Sequence, residues 1–121
     1  MAQLNSLHTV PRQRMDAYTV SVQAACSVLP SLHLVPAAYR DLGDQATRAV
    51  TSVALNLAEG SGRSGRDRFN HFHIAYGSAL EASAALEILA AVGGVQAGAA
   101  EQALALLDRT RAMLWRLMHP R

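Results

Sequence analysis

Residues 46–89 decide the fold: ATRAVTSVALNLAEGSGR runs directly into SGRDRFNHFHIAYGSALEASAALEIL. Both halves carry apolar residues at helical spacing. The break between them is Gly60-Ser61-Gly62, with Gly65 close behind. The pattern predicts two long helices folded back on each other, with the rest of the chain packed around them.

Working outward, Pro36 can open the first of these two helices, and its apolar stripe is Leu42, Ala46, Ala49, Val50, Val53 and Leu57. Gly43 interrupts its first turns. Gly60 or Gly62 supplies the left-handed residue that closes it. Ser64-Gly65-Arg66-Asp67 reads as a capping box with Asp in place of Glu. The helix after it turns Phe69, Phe72, Tyr76, Ala79, Leu80, Ser83, Leu86 and Ala90 inward, and Gly93-Gly94 stops it.

The flanks complete the pattern. Residues 1–10 read as a loose arm, and Pro11 suits a helix's first turn. Met15, Tyr18, Val22, Ala25, Cys26 and Leu29 then share a face, and Pro30 ends that helix. Residues 31–35 connect it to the next. A last helix begins near Gly98, turns Leu104, Leu107, Leu114, Leu117 and Met118 inward, and ends before Pro120. Three short connections make sequential helices antiparallel neighbours. The expected fold is all-α: one domain over residues 1–121, an antiparallel up-down-up-down four-helix bundle.

Composition sets further bounds. A chain of 121 residues is long enough to bury a core without staples. Half of the residues are hydrophobic, which excludes a disordered chain. Cys26 is the lone cysteine, so an internal disulfide or a thiolate cage is excluded, and a reducing cytoplasm is the expected setting. The N-terminus has no apolar run of the signal-peptide kind. Residues 17–39 are uncharged, but Gln23, Pro30 and Pro36 interrupt them, so no membrane span is expected there. All eleven basic residues are arginines, and the net charge of +2 permits nucleic-acid binding without requiring it.

Several residues in the central hairpin resemble one family's motif. They are Asn56-Leu57-Ala58-Glu59-Gly60, Arg63, Phe72-His73-Ile74-Ala75-Tyr76-Gly77-Ser78, and Glu81. The bacterial four-helix-bundle family called the 23S rRNA intervening-sequence protein has a helix ending in N-(I/L)-A-E-G, an arginine-rich turn, then F-L-x-x-A-x-G-S-x-x-E. The likeness covers residues 39–95, and the two halves together are specific where either alone is weak. It implies a bundle fold and homo-oligomers, typically pentameric rings. It also implies kinship with the accessory proteins of diversity-generating retroelements, which bind nucleic acid and a reverse transcriptase. Catalysis is not part of what it implies. The chain departs from the family in having Tyr18 where Trp is frequent, His73 where Leu is common, and no lysine.

Local chemistry singles out other positions. Asn56 sits mid-helix, where its amide competes with the backbone. Glu59 sits at the negative end of the helix dipole. Either they contact a ligand or partner, or they fasten the turn, with Glu59 held by Arg63 or Arg66. Antiparallel pairing also predicts an ion pair between Arg48 and Glu81. Gly77-Ser78 lies mid-helix, where a small residue lets another helix approach, within or between subunits; the alternative is a ligand on bare backbone. His71 and His73, two apart, face different ways, so no metal site is expected. The glutamates form no Glu-x-x-His set, and Ser78 lacks a base, so no catalytic residue and no cofactor is expected.

Arg63, Arg66 and Arg68 cluster at the central turn, and Arg109, Arg111 and Arg116 follow on the last helix, with Arg12, Arg14 and Arg121 at the ends. They form either a phosphate-binding surface or a solvated face with internal ion pairs. No aromatic stacking platform for bases is apparent along the sequence. The expected function is thus a non-enzymatic oligomeric protein that binds RNA or DNA or acts as an adaptor. The alternative is a structural or protein-interaction module whose partner is encoded nearby. The uncharged runs 17–39 and 88–100 place small apolar residues outward, which favours association.

Overall fold

The computed structural model describes residues 15–120. Four helices hold most of them: α1 (Met15–Leu32), α2 (Arg40–Ser61), α3 (Gly65–Ala91) and α4 (Ala97–Met118). A 3-10 turn, Ala37–Tyr39, precedes α2. No strand occurs among the described residues. The loose arm, the helix start at Pro11, and Arg12, Arg14 and Arg121 lie outside the described residues.

Each helix packs chiefly on two others: α1 on α2 and α4, and α3 on α2 and α4. At one end the α1–α2 and α3–α4 connections meet, with Pro36, Gly94 and Val95 around a shared groove. At the other end Asp16 and Ala17 of α1 lie beside Arg116 and Leu117 of α4. The helices therefore alternate in direction, and the bundle is the up-down-up-down one.

The core is built from a few large side chains set among alanines. Leu57, Phe72, Leu86, Leu89, Leu107 and Leu114 are the largest buried groups. Ala24, Ala46, Ala75, Ala79, Ala82 and Ala103 are sealed from solvent between them. Small residues let helix axes come closer than Leu-on-Leu packing allows. Alanine also costs a helix nothing in propensity. By length and composition α3 could cross a membrane, with a stretch of mean hydropathy 1.3. Its buried face, however, is the centre of this core, and its first turn carries Arg66, Asp67 and Arg68.

The structure differs from expectation at several places, each with a local cause. Pro30 does not end α1, which continues to Leu32. Pro30 is exposed in the last turn, and buried Leu32 anchors the residues after it. The connection to α2 moves to residues 33–39, the last three of which form the 3-10 turn. The core face of α1 is rotated from the expected one: Ala17, Val20, Ser21, Ala24, Ala25 and Val28 are buried. Tyr18 and Leu29 only flank the core, and Cys26 is exposed rather than part of it. The face was misplaced because Ala and Ser carry little hydrophobic signal, yet they are what a tight seam selects.

The turns also differ. Pro36 does not open α2 directly; the 3-10 turn intervenes. Gly43 is buried because a Cβ there would stand 3.3 Å from Val35. Neither Gly60 nor Gly62 is left-handed. Positive φ occurs instead at Gly65 (60°) and Gly93 (75°), where the chain enters α3 and leaves it. Ser64 makes no side-chain cap bond. The expected box fails because Asp67 is held by Arg63. On α3, Phe69 and Leu80 are exposed, while Ala75, Ala82 and Ala85 take core positions. α4 carries its expected residues inward, with Leu107, Leu114 and Met118 buried.

Candidate functional site

Ser52, Asn56 and Glu59 recur at spacings of four and three, so they share the edge of α2 that meets α3. Asp67, His71 and Ser78, at spacings of four and seven, share the facing edge of α3. Asn56 Nδ2 donates to the Ser52 carbonyl and to Ser52 Oγ, each at 3.0 Å. Its Oδ1 lies 3.1 Å from His71 Nδ1. An amide oxygen only accepts, so the network assigns the neutral imidazole's proton to Nδ1. Ser52 Oγ and Ser78 Oγ are 2.8 Å apart. His71 Nε2 stands 3.9 Å from Asp67. Arg63 closes the row, 2.6 Å from Glu59 and 3.0 Å from Asp67.

A polar seam therefore runs from the hairpin turn toward mid-bundle. The hydrogen bond from Arg63, and then its charge, holds the Glu59 carboxyl below the usual carboxylate range. The same bond raises the Arg63 guanidinium, with Asp67 adding its charge. Both partners are about half exposed, so solvent screens most of this attraction. The half-buried part of the seam, Ser52, Asn56, His71 and Ser78, carries more of the energy because its groups would otherwise lack partners.

Gly60 completes the arrangement. A Cβ on Gly60 would lie 2.9 Å from both His71 Cβ and Phe72 Cε1, closer than atoms tolerate. The last turn of α2 thus rests its backbone on the Phe72 ring, the largest buried side chain. Asn56, Glu59, Gly60, Arg63 and Ser78 are therefore brought together in a clasp between two helices.

Three other motif residues stay outside the clasp. Arg48 and Glu81 are both exposed and form no ion pair among the described residues, against expectation. The register that would pair them is close to the one seen, but an exposed pair gains too little to hold two flexible side chains. Gly77 is exposed, and a Cβ there would meet nothing within 4 Å. It does not serve close packing within the subunit.

The arginines divide into committed and uncommitted ones. Arg63 is engaged by Glu59 and Asp67, and Arg111 by Asp108. Arg68 lies over the Phe72 ring, 5.2 Å from its centre. Arg66, Arg109 and Arg116 are exposed and make no ion pair among the described residues. On α4, Arg109 and Arg116 lie seven residues apart on one side, while Arg111 faces α3.

Sequence reasoning missed the aromatic grouping beside these charges. Tyr76 of α3 and Trp115 of α4 have ring centres 6.2 Å apart. Trp115 stacks on His119 at 3.8 Å, and Phe69 on His73 at 6.0 Å. The groove between α3 and α4, about 400 Å³, is lined by Tyr76, Asp108, Arg111, Ala112, Trp115 and Arg116. Two signals were available: Trp115 and His119 are four apart, and Phe69, His73 and Tyr76 recur at four and three. What could not be read was which turn of α4 stands level with Tyr76.

An α-helical bundle with this clasp at its central hairpin defines a class, and comparison with known proteins places it. The profile described as 23S rRNA-intervening sequence protein matches residues 13–116. The chain belongs to that family. Its fold is similar to the crystal structure of a protein of unknown function from the S23 ribosomal protein family of Bacteroides thetaiotaomicron. That likeness has a TM-score of 0.77 at 18% identity, over 88% of this chain and 98% of the other. No curated protein matches the chain.

Proposed function

We propose that this member of the family is a non-enzymatic, homo-oligomeric protein that binds nucleic acid, directly or as an adaptor for a nucleic-acid enzyme. The observation that carries the reading is that Arg66, Arg109 and Arg116, like Arg40 and Arg48 on α2, are exposed and make no ion pair among the described residues. An uncommitted guanidinium is the group that neutralises a phosphate and releases its counterions. Arg63, Arg68 and Arg111 stand beside them with part of their donor capacity used. Asn56, Glu59, Arg63 and Ser78 of the motif are engaged by neighbouring side chains, which supports a structural role for them in place of a catalytic one. A gel-shift titration with a labelled single-stranded 30-mer RNA, in 50 and 200 mM salt, tests this. A shift at low salt that weakens steeply at high salt supports the reading; no shift at either salt removes it.

A second reading, a protein-interaction module, is favoured by a different observation. Ile74, Leu80 and Ile88 are half exposed on α3, around Gly77. Exposed apolar groups of this size on one helix face suit a protein partner. The same face suits self-association, for which family resemblance suggests five copies. Recovery of one protein partner after nuclease treatment favours the module over the nucleic-acid binder.

A further inference from the structure

We propose that the aromatic patch across α3 and α4 is a base-stacking platform for single-stranded nucleic acid; this rests on the nucleic-acid reading above and assigns it a site. Phe69, His73 and Tyr76 recur along one side of α3. Trp115 and His119 form a parallel row on α4, and the two rows meet at the Tyr76–Trp115 contact. The helices are antiparallel, so from that contact both rows run toward the end where the hairpin turn lies.

Apart from Tyr76, which packs against the core, the rings lie outside it. Trp115 is 52% exposed and Phe69 43%, and both histidines are exposed. Large aromatic faces in water are costly unless something covers them. The charges around the rings select the cover. Arg66 precedes the α3 row by one turn, and Arg111 and Arg116 line the groove with Trp115. Arg111 has its Nε buried with no hydrogen-bond partner, while its terminal nitrogen binds Asp108. An apolar protein helix would satisfy the rings and leave the guanidiniums bare. A strand of bases and phosphates satisfies both, since every base has a π-face and every linkage has an anion. Asp108 is the one acidic group lining this groove.

Trp115 is the chain's lone tryptophan, so its fluorescence reports on this site directly. The full chain is titrated in 50 mM salt with a labelled single-stranded (dT)12, and separately with inorganic polyphosphate of matched charge. The expected result is quenching of Trp115 by (dT)12 with little effect from polyphosphate. Trp115→Leu, at a half-exposed position that leaves the fold intact by circular dichroism, weakens binding of the labelled strand about fivefold to a hundredfold. Arg116→Ala weakens it while retaining the quench at saturation. Binding of (dT)12 without quenching, displaced equally by polyphosphate, overturns the platform and leaves the phosphate-binding reading standing. Binding of neither polymer overturns both. A blue shift of Trp115 that follows protein concentration alone means that another copy covers the rings, and it too overturns the platform.

Discussion

Two glycines at opposite ends of the same motif make opposite predictions. Gly60→Ala gains helix propensity of about 1 kcal/mol, but its methyl falls 2.9 Å from His71 Cβ and Phe72 Cε1. Overpacking of that kind costs about 1–3 kcal/mol, so a net loss of stability is expected in urea unfolding. Gly77→Ala meets open space on an exposed turn and should raise the stability of the subunit by about 0.5–1 kcal/mol. Both glycines look alike in sequence. Only the helix axes show that one is pressed against a ring and the other faces out.

Glu59 supplies a pH-dependent term. Arg63 lowers its pKa in the folded state, so the group stabilises the fold above the unfolded carboxylate range. That contribution fades as pH falls through the range and is gone below the folded value. Thermal melts of the wild type and Glu59→Gln should differ at pH 7 and converge toward pH 3. A constant difference across that span would contradict the pairing with Arg63. Asn56 behaves differently because its partners are half-buried. Asn56→Ala leaves His71 Nδ1 without its partner and takes one of two partners from Ser52 Oγ, and a loss of about 1–2 kcal/mol is expected from denaturant midpoints.

At the scale of elements, the sequence located the four helices and their order because period and glycine breaks are long-range, redundant signals. The inward stripe of α2 is where the spacing put it, from Ala46 through Leu57. The face of α1 was not, because its buried residues are mostly Ala, Val and Ser, and the larger Tyr18 and Leu29 are at the margin. Hydrophobic size misleads when the seam is narrow. The clasp was half legible: Asn56 and Glu59 stood out as rule-breakers and Arg63 as a partner for Glu59. Ser52 carried no signal of its own, and His71 was weighed only beside His73 as a metal ligand, not as the group that joins Asn56 across the interface. The Tyr76–Trp115 contact was illegible for a related reason. It depends on the stagger of α4 against α3, and the connection at 92–96 sets that stagger through Gly93 and Gly94. Gly93 takes a positive φ, and Gly94 lies against Leu89 and Tyr39.

For the whole molecule, the uncovered groups decide between a lone bundle and an assembly. The uncharged runs 17–39 and 88–100 were expected to carry the association surface. The larger exposed apolar groups divide between those runs, with Leu34, Tyr39, Ile88 and Val92, and the rest of the bundle, with Leu55 on α2, Phe69, Ile74 and Leu80 on α3 and Trp115 on α4. Light scattering coupled to gel filtration should give a mass near five times 12.9 kDa if the proposed ring forms. Gly77→Ala then separates two roles: a more stable subunit that still assembles means the glycine is incidental, and one that no longer assembles places Gly77 in the contact. In a ring each exposed arginine is repeated, and repetition raises avidity for a polyanion without any new contact.

The nucleic-acid claim is tested most directly by the salt dependence of binding to a single-stranded 30-mer, read by fluorescence anisotropy. The wild type should show log K falling linearly with log salt, at a slope of about −0.7 per phosphate neutralised. Arg66 is exposed and makes no ion pair among the described residues, so Arg66→Ala should make that slope shallower by about 0.7 for each copy that touches the strand, with melting unchanged. A flat salt response, or an Arg66→Ala slope identical to the wild type, would contradict the account.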